Sequence, residues 1–261
     1  MNFLWTLGGA GFIFFATCFG AASVFMFRRQ VPETANTIFL SLAGGIMIAA
    51  SVWSLLLPAI EMAGAGGFPA WLPPALGVLL GAGFIRGVDS VIPRLRRSSG
   101  RTNTPSQTSN NRSALLMTAI TLHNVPEGMA VGLCFAVAAG HADAAALGSA
   151  IALAFGIGVQ NFPEGAAVSL PLRRDGKSAG RSFFCGCLSG AVEPAAAMLT
   201  YFAAGAVLPL MPWLLSFSAG AMLYVVVEEL IPETSSGKLK SIGTLGFLLG
   251  FIVMMALDVA L

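Results

Sequence analysis

The stretch Ala114-Leu-Leu-Met-Thr-Ala-Ile-Thr-Leu-His123-Asn124-Val-Pro126-Glu127-Gly128-Met-Ala-Val-Gly-Leu-Cys-Phe-Ala-Val-Ala-Ala139 is apolar for most of its length and carries an imidazole, an amide and a carboxylate at its middle. About 20 apolar residues are enough for a helix to cross a bilayer. The centre recurs: His123-Asn124-Val125-Pro126-Glu127-Gly128 is echoed by Gln160-Asn161-Phe162-Pro163-Glu164-Gly165 in a second apolar segment, 145–170. Acids and amides in hydrocarbon are costly, so two such sets at membrane depth point to a functional site.

The rest of the chain fits that reading. Of 261 residues, 56% are hydrophobic and 10% charged, against about 25% charged in a soluble domain. Eight segments are apolar and of spanning length: 3–27, 37–60, 69–88, 114–139, 145–170, 183–206, 210–231 and 242–261. The expected fold is therefore an all-α integral membrane protein with eight transmembrane helices, forming one transport domain over 1–261. The first segment lacks the basic start and cleavage site of a signal peptide. The polar stretch 92–113, rich in Ser, Thr and Asn, predicts a flexible loop between the third and fourth helices.

Basic residues give the orientation. Arg28 and Arg29 follow the first segment. Arg86, Arg94, Arg96, Arg97, Arg101 and Arg112 lie around the 92–113 stretch. Arg173, Arg174, Lys177 and Arg181 follow the fifth segment, and Lys238 and Lys240 follow the seventh. These are all 14 Lys and Arg, and with eight spans they fall on one side. That side is cytoplasmic by the positive-inside rule, which puts both termini outside. Topology accounts for the net charge of +2. Membrane lipids are the expected surroundings, and no nucleic-acid partner is implied. Cys18, Cys134, Cys185 and Cys187 read as small helix residues and suggest no disulfide framework.

His123 and Glu127 are four apart and share a helix face, as do Gln160 and Glu164; Asn124 and Asn161 sit one step round. Pro126 and Pro163 each withdraw a backbone donor, which loosens the helix beside the acids. Pro-interrupted helices in corresponding positions point to a transporter site. Glu193, followed by Pro194, lies mid-segment in 183–206. Met47 lies mid-segment in 37–60, with Ser51 and Ser54 on its face. Imidazole, carboxylate, amide oxygen and thioether together suit a divalent transition metal.

Further acids sort by side. Glu61 and Asp258 fall at outer ends, where they could gather cations. Asp89, Glu228 and Glu229 fall toward the inner ends and could form an exit path. His141 and Asp143 read as solvated residues of an outer loop.

These motifs, together with Gly45-Ile46-Met47-Ile48-Ala49-Ala50-Ser51 and Glu229-Leu230-Ile231-Pro232-Glu233-Thr234, resemble the ZIP family of zinc- and iron-regulated transporters, in its GufA-like bacterial branch. The resemblance covers nearly the whole chain. It implies a ZIP-like bundle with an inverted repeat, a site carried by the fourth and fifth helices, and a homodimer. Val31-Pro32-Glu33-Thr34 and Ile231-Pro232-Glu233-Thr234 are a weak sign of such a repeat. One metal position would take Met47, His123, Gln160, Asn161 and Glu164. A second would take Asn124, Glu127, Asn161, Glu164 and Glu193. Asn161 stands where relatives often carry Asp, and it offers one neutral carbonyl oxygen instead of a bridging carboxylate.

The expected function is uptake of a divalent metal across the plasma membrane, the inner membrane of a bacterium. Zn(II) is the first candidate substrate; Cd, Fe(II) and Mn are alternatives, and no organic cofactor is implied. The competing reading is an intramembrane zinc-dependent hydrolase, which would need zinc to activate water. The chain lacks the His-Glu-x-x-His pattern of such enzymes. A sodium or amino-acid symporter also uses broken helices, but an imidazole with three intramembrane glutamates suits a metal better.

Overall fold

A computed structural model describes residues 2–27, 31–65, 69–98, 105–141, 144–235 and 237–260. Among the described residues the regular structure is entirely helical. In order these are α1 (Asn2–Ala21, extended by a 3-10 turn Ala22–Met26), α2 (Glu33–Ala50), α3 (Leu57–Ala65), α4 (Leu72–Ser98), α5 (Pro105–His141), α6 (Ala144–Arg174), α7 (Ala179–Gly190), α8 (Val192–Phe202), α9 (Ala204–Val207), α10 (Met211–Val225), α11 (Ile231–Thr234) and α12 (Lys240–Ala260).

Among the described residues, seven helical runs are long and apolar enough to cross a membrane: Phe3–Met26, Glu33–Gly64, Ile120–Ala139, Ala145–Arg174, Ala179–Phe202, Ala204–Thr234 and Lys240–Ala260. The remaining expected span, 69–88, corresponds to the apolar helical stretch Leu72–Val88 within α4. The protein is an all-α multi-pass membrane protein.

Three departures from the expected segments have one cause, proline. The sixth segment, 183–206, is two helices that part at Ala191. Pro194 has no N–H to give to the carbonyl of Gly190 and its ring crowds that carbonyl, so α7 ends there and Glu193 falls in the first turn of α8. In the second and seventh segments the helix widens to π geometry over Ser51–Leu56 and Val226–Leu230. Each widened turn runs into a proline, Pro58 or Pro232, which removes a donor four residues on. Such turns often mark functional positions. Within the expected loop 92–113, α4 continues to Ser98 and α5 begins at Pro105, where proline at the first helical position has no donor to lose. Residues 99–104 lie outside the described residues, as do Arg28, Arg29 and Asp143.

The helices form two groups. In the first, α1 lies along α6, α5 along α8 and α6, and α7 against α1 and α6. In the second, α2 lies along α12 and α10 along α4. Glycine sets the closeness inside each group. A Cβ on Gly20 would overlap the Phe162 carbonyl and one on Gly165 the Thr17 carbonyl, so α1 and α6 touch backbone to backbone. Gly45 with Phe247 and Gly81 with Phe217 do the same in the second group. Small residues at such crossings allow the van der Waals contact that holds helices together in lipid.

The groups meet where α2 faces α6 and α10 faces α5. That boundary is an apolar cluster in which Met47, Leu55, Met222 and Val226 from the second group pack with Ile120, Ala167, Val168 and Leu172 from the first.

Candidate metal centre

The repeated motifs of α5 and α6 come together at the middle of the first group. His123 Nε2 lies 3.0 Å from Glu127 Oε1 and 3.6 Å from Glu164 Oε1. One donor atom from each of these three residues falls within 4.8 Å of the others. All three are 2% exposed or less. The i, i+4 spacing brings His123 and Glu127 together on α5, and the α5–α6 contact brings in Glu164.

Around this core, each further group is held by one atom and offers another. The Asn124 amide donates from Nδ2 to the Ser189 carbonyl at 3.0 Å, and its Oδ1 has no partner. Asn161 Nδ2 donates to the Ile13 carbonyl at 3.3 Å, and its Oδ1 is likewise unpaired. Thr17 donates its hydroxyl to Glu193 Oε1 at 3.2 Å, leaving Oε2 unpaired. His123 Nδ1 meets the Ser218 hydroxyl at 2.7 Å, and Nε2 makes no hydrogen bond. Both amide atoms of Gln160 and all four carboxylate oxygens of Glu127 and Glu164 are also buried and unpaired in hydrogen bonds.

An unpaired buried donor or acceptor costs about 1–3 kcal/mol. So many in one place are unfavourable unless an occupant satisfies them. Apart from the Gln160 amide nitrogen, the free atoms are oxygens and one ring nitrogen, with three carboxylates, Glu127, Glu164 and Glu193, to carry negative charge. That donor set fits a divalent cation of the zinc kind, for which imidazole nitrogen and carboxylate oxygen are ordinary ligands. The single exceptions in sign are the Gln160 amide protons.

Glu193 is completed by backbone contact. A Cβ on Gly128 would overlap the Glu193 backbone, so α5 and α8 are pressed together beside Glu127. The Glu193 carboxylate lies within electrostatic range of Glu127, Glu164 and His123.

Met47 is buried in the apolar cluster between the helix groups, 1% exposed. Its side chain packs there in the cluster that also holds Met222, Ile120 and Val168. Ser51 bonds back to the Met47 carbonyl at 2.7 Å and to Met222 Sδ at 3.0 Å. Ser54 donates to Asp258 Oδ1 at 2.8 Å, joining the π turn after α2 to the end of α12. Glu61 on α3 and Glu228 in the second π turn are exposed, and Glu229 is half-buried. The side chains of Asp89 and His141 lie outside the described residues.

Four contributors escaped the sequence reading: the Thr17 and Ser218 hydroxyls and the Ile13 and Ser189 carbonyls. A hydroxyl in an apolar helix is usually a helix–helix hydrogen-bonder, so nothing in the sequence sets these apart. Their role comes from packing partners distant in sequence.

Comparison with known proteins agrees with this geometry. The family model described as ZIP Zinc transporter matches residues 94–258. The zinc transporter ZIP11 of Homo sapiens is 37% identical, over 97% of this chain and 96% of that protein. The zinc transporter GufA of Myxococcus xanthus is 38% identical over 80% of each chain. The zinc transporter ZIPB of Bordetella bronchiseptica is 36% identical, over 97% of this chain and 80% of its own length. The chain therefore belongs to the ZIP zinc transporter family, as a GufA-like multi-pass membrane metal transporter and not an enzyme.

Proposed function

We propose that the protein carries Zn(II) into the cytoplasm across the plasma membrane, the inner membrane of a bacterium, with both termini outside. The observation that carries this reading is the buried cluster of His123, Glu127 and Glu164, whose donor atoms face one another and are otherwise unsatisfied. Zinc is favoured because the relatives bear the name of zinc transporters and because the ligands mix nitrogen with oxygen. Cd, Fe(II) and Mn share enough of this chemistry to compete.

The path starts at Glu61 and Asp258, which concentrate cations. The ion sheds water as it reaches His123, Glu127, Glu164 and Glu193, with Asn124, Gln160 and Asn161 supplying neutral oxygens. Asp89, Glu228 and Glu229 receive it on the inner side. Alternating access comes from one helix group sliding on the other. Glycine-mediated backbone contacts keep each group rigid, whereas the boundary between them is made of apolar side chains, which can repack. Two metal positions share the centre, the second relying on Asn124, Glu127 and Glu193. The working unit is a homodimer in lipid.

Purified protein in liposomes loaded with a zinc-sensitive dye tests the proposal, with Cd, Mn and Fe(II) as competitors. His123→Ala and Glu127→Ala are expected to abolish uptake while still inserting in the membrane. Uptake at the wild-type rate in both variants would remove the site from the pathway.

A further inference from the structure

The holds on the centre differ in where they come from. The Ile13 carbonyl and the Thr17 hydroxyl lie on α1 and the Ser189 carbonyl on α7, all in the same helix group as the groups they hold. His123 is held from the other side of the boundary, by Ser218 of α10, at 2.7 Å from Nδ1. Both residues are 1% exposed. The Ser218 hydroxyl is also placed to donate to the His123 carbonyl, at 3.5 Å. With its own proton sent there, the Ser218 oxygen can accept from Nδ1–H, the arrangement that a metal ion on Nε2 requires. A neutral imidazole has one protonated nitrogen, and the partner of that nitrogen decides what the other can do. Nε2 then carries the lone pair, and Nε2 is the atom that faces Glu127 and Glu164.

Building on the metal-carrier reading above, we propose that Ser218 is a positioning residue that holds His123 in its metal-binding tautomer, and that it does so only while the two helix groups keep this register. Sliding of the first group withdraws His123 from Ser218. The ring is then free to rotate and to exchange tautomers, and its bond to the ion weakens. Metal affinity and the position of the groups are linked in both directions: metal favours the register in which Ser218 is engaged, and leaving that register favours release.

The chain has two His residues, so 15N-histidine labelling of full-length protein in lipid nanodiscs gives two imidazoles, and His141→Gln leaves His123 alone. With Zn(II) added, His123 is expected to show a protonated Nδ1 and a metal-bound Nε2. Ser218→Ala is expected to weaken Zn(II) binding about 10–100-fold, the usual effect of losing a group that orients a metal ligand. It should raise the half-saturation of uptake more than it lowers the maximal rate. Ser218→Thr keeps the hydroxyl and is expected to restore binding, which a packing defect would not allow. In right-side-out and inside-out vesicles, wild-type half-saturation for zinc should differ, and Ser218→Ala should bring the two values together.

A protonated Nε2, or unchanged zinc affinity in Ser218→Ala, would overturn the positioning role. Equal wild-type values in the two vesicle orientations, or a difference that Ser218→Ala leaves intact, would overturn the link to register. His123→Ala separates this inference from the reading beneath it. If that variant binds zinc like wild type, the site itself fails; if it loses zinc while Ser218→Ala does not, the site stands and Ser218 falls.

Discussion

Gly128 gives the sharpest test of how the centre is assembled. A Cβ at this position would stand 2.8 Å from the Glu193 Cα and 2.9 Å from its carbonyl carbon. Carbon atoms in contact prefer about 3.5 Å and the Glu193 carbonyl oxygen is nearer still, so Gly128→Ala requires α8 to withdraw from α5 by at least about 0.7 Å. The obstruction is backbone and has no rotamer to change. Overpacking of this kind costs about 1–3 kcal/mol, and a tenfold change in an equilibrium constant is about 1.4 kcal/mol. Glu193 moves with the backbone it belongs to, so its carboxylate is drawn away from the ion, a loss of about 1–3 kcal/mol on the usual scale for one partner of a buried polar group. Zinc affinity is therefore expected to drop about 5- to 150-fold. Isothermal titration of purified protein reads the affinity, and uptake by liposomes reads the transport. Gly8→Ala serves as the control, since a Cβ there meets nothing within 4 Å. If Gly128→Ala stays folded and binds zinc as tightly as wild type, the argument that α5 and α8 are pressed together to bring Glu193 into the centre is wrong.

Other expectations are simpler to state. Asn161→Asp replaces a neutral oxygen donor with a carboxylate whose two oxygens can bridge; metal bound per chain, measured by elemental analysis after dialysis, should rise, and an unchanged amount would count against Asn161 limiting the second position. Protons compete with zinc for imidazole and carboxylates, so uptake should fall steadily as the outside is acidified from pH 7.5 to 5.5; a rate that rises on acidification would contradict ligand competition. The ion pair of Arg174 Nη1 with Glu233 Oε1, 3.0 Å long and 36% and 39% exposed, joins α6 to α11 across the boundary. Exposed pairs are worth under about 1 kcal/mol, so Glu233→Ala should leave thermal stability nearly unchanged; a large loss would mean the pair clamps the boundary.

Much of this was legible in the sequence, for physical reasons. Apolar length describes interaction with the bilayer, which is a local property of each segment. The Asn-x-Pro-Glu-Gly repeat is visible because charge at membrane depth is rare. The break at Ala191 and the two π turns were not anticipated, although Pro194, Pro58 and Pro232 were in plain view. Proline can be accommodated by a kink, a break or a wider turn, and packing decides which. The Thr17 and Ser218 hydroxyls and the Ile13 and Ser189 carbonyls were out of reach because their partners lie on helices far apart in the chain. At Gly128 the closely approaching backbone is that of Glu193, a partner the local sequence does not name.

The central claim is that His123, Glu127 and Glu164 bind the transported ion. Zinc K-edge X-ray absorption on the purified, zinc-loaded protein tests it most directly. The account predicts an imidazole nitrogen with oxygen donors at about 2.0–2.2 Å, and loss of the imidazole signature in His123→Ala. A sulfur-dominated shell, or a spectrum that His123→Ala leaves unchanged, would contradict it.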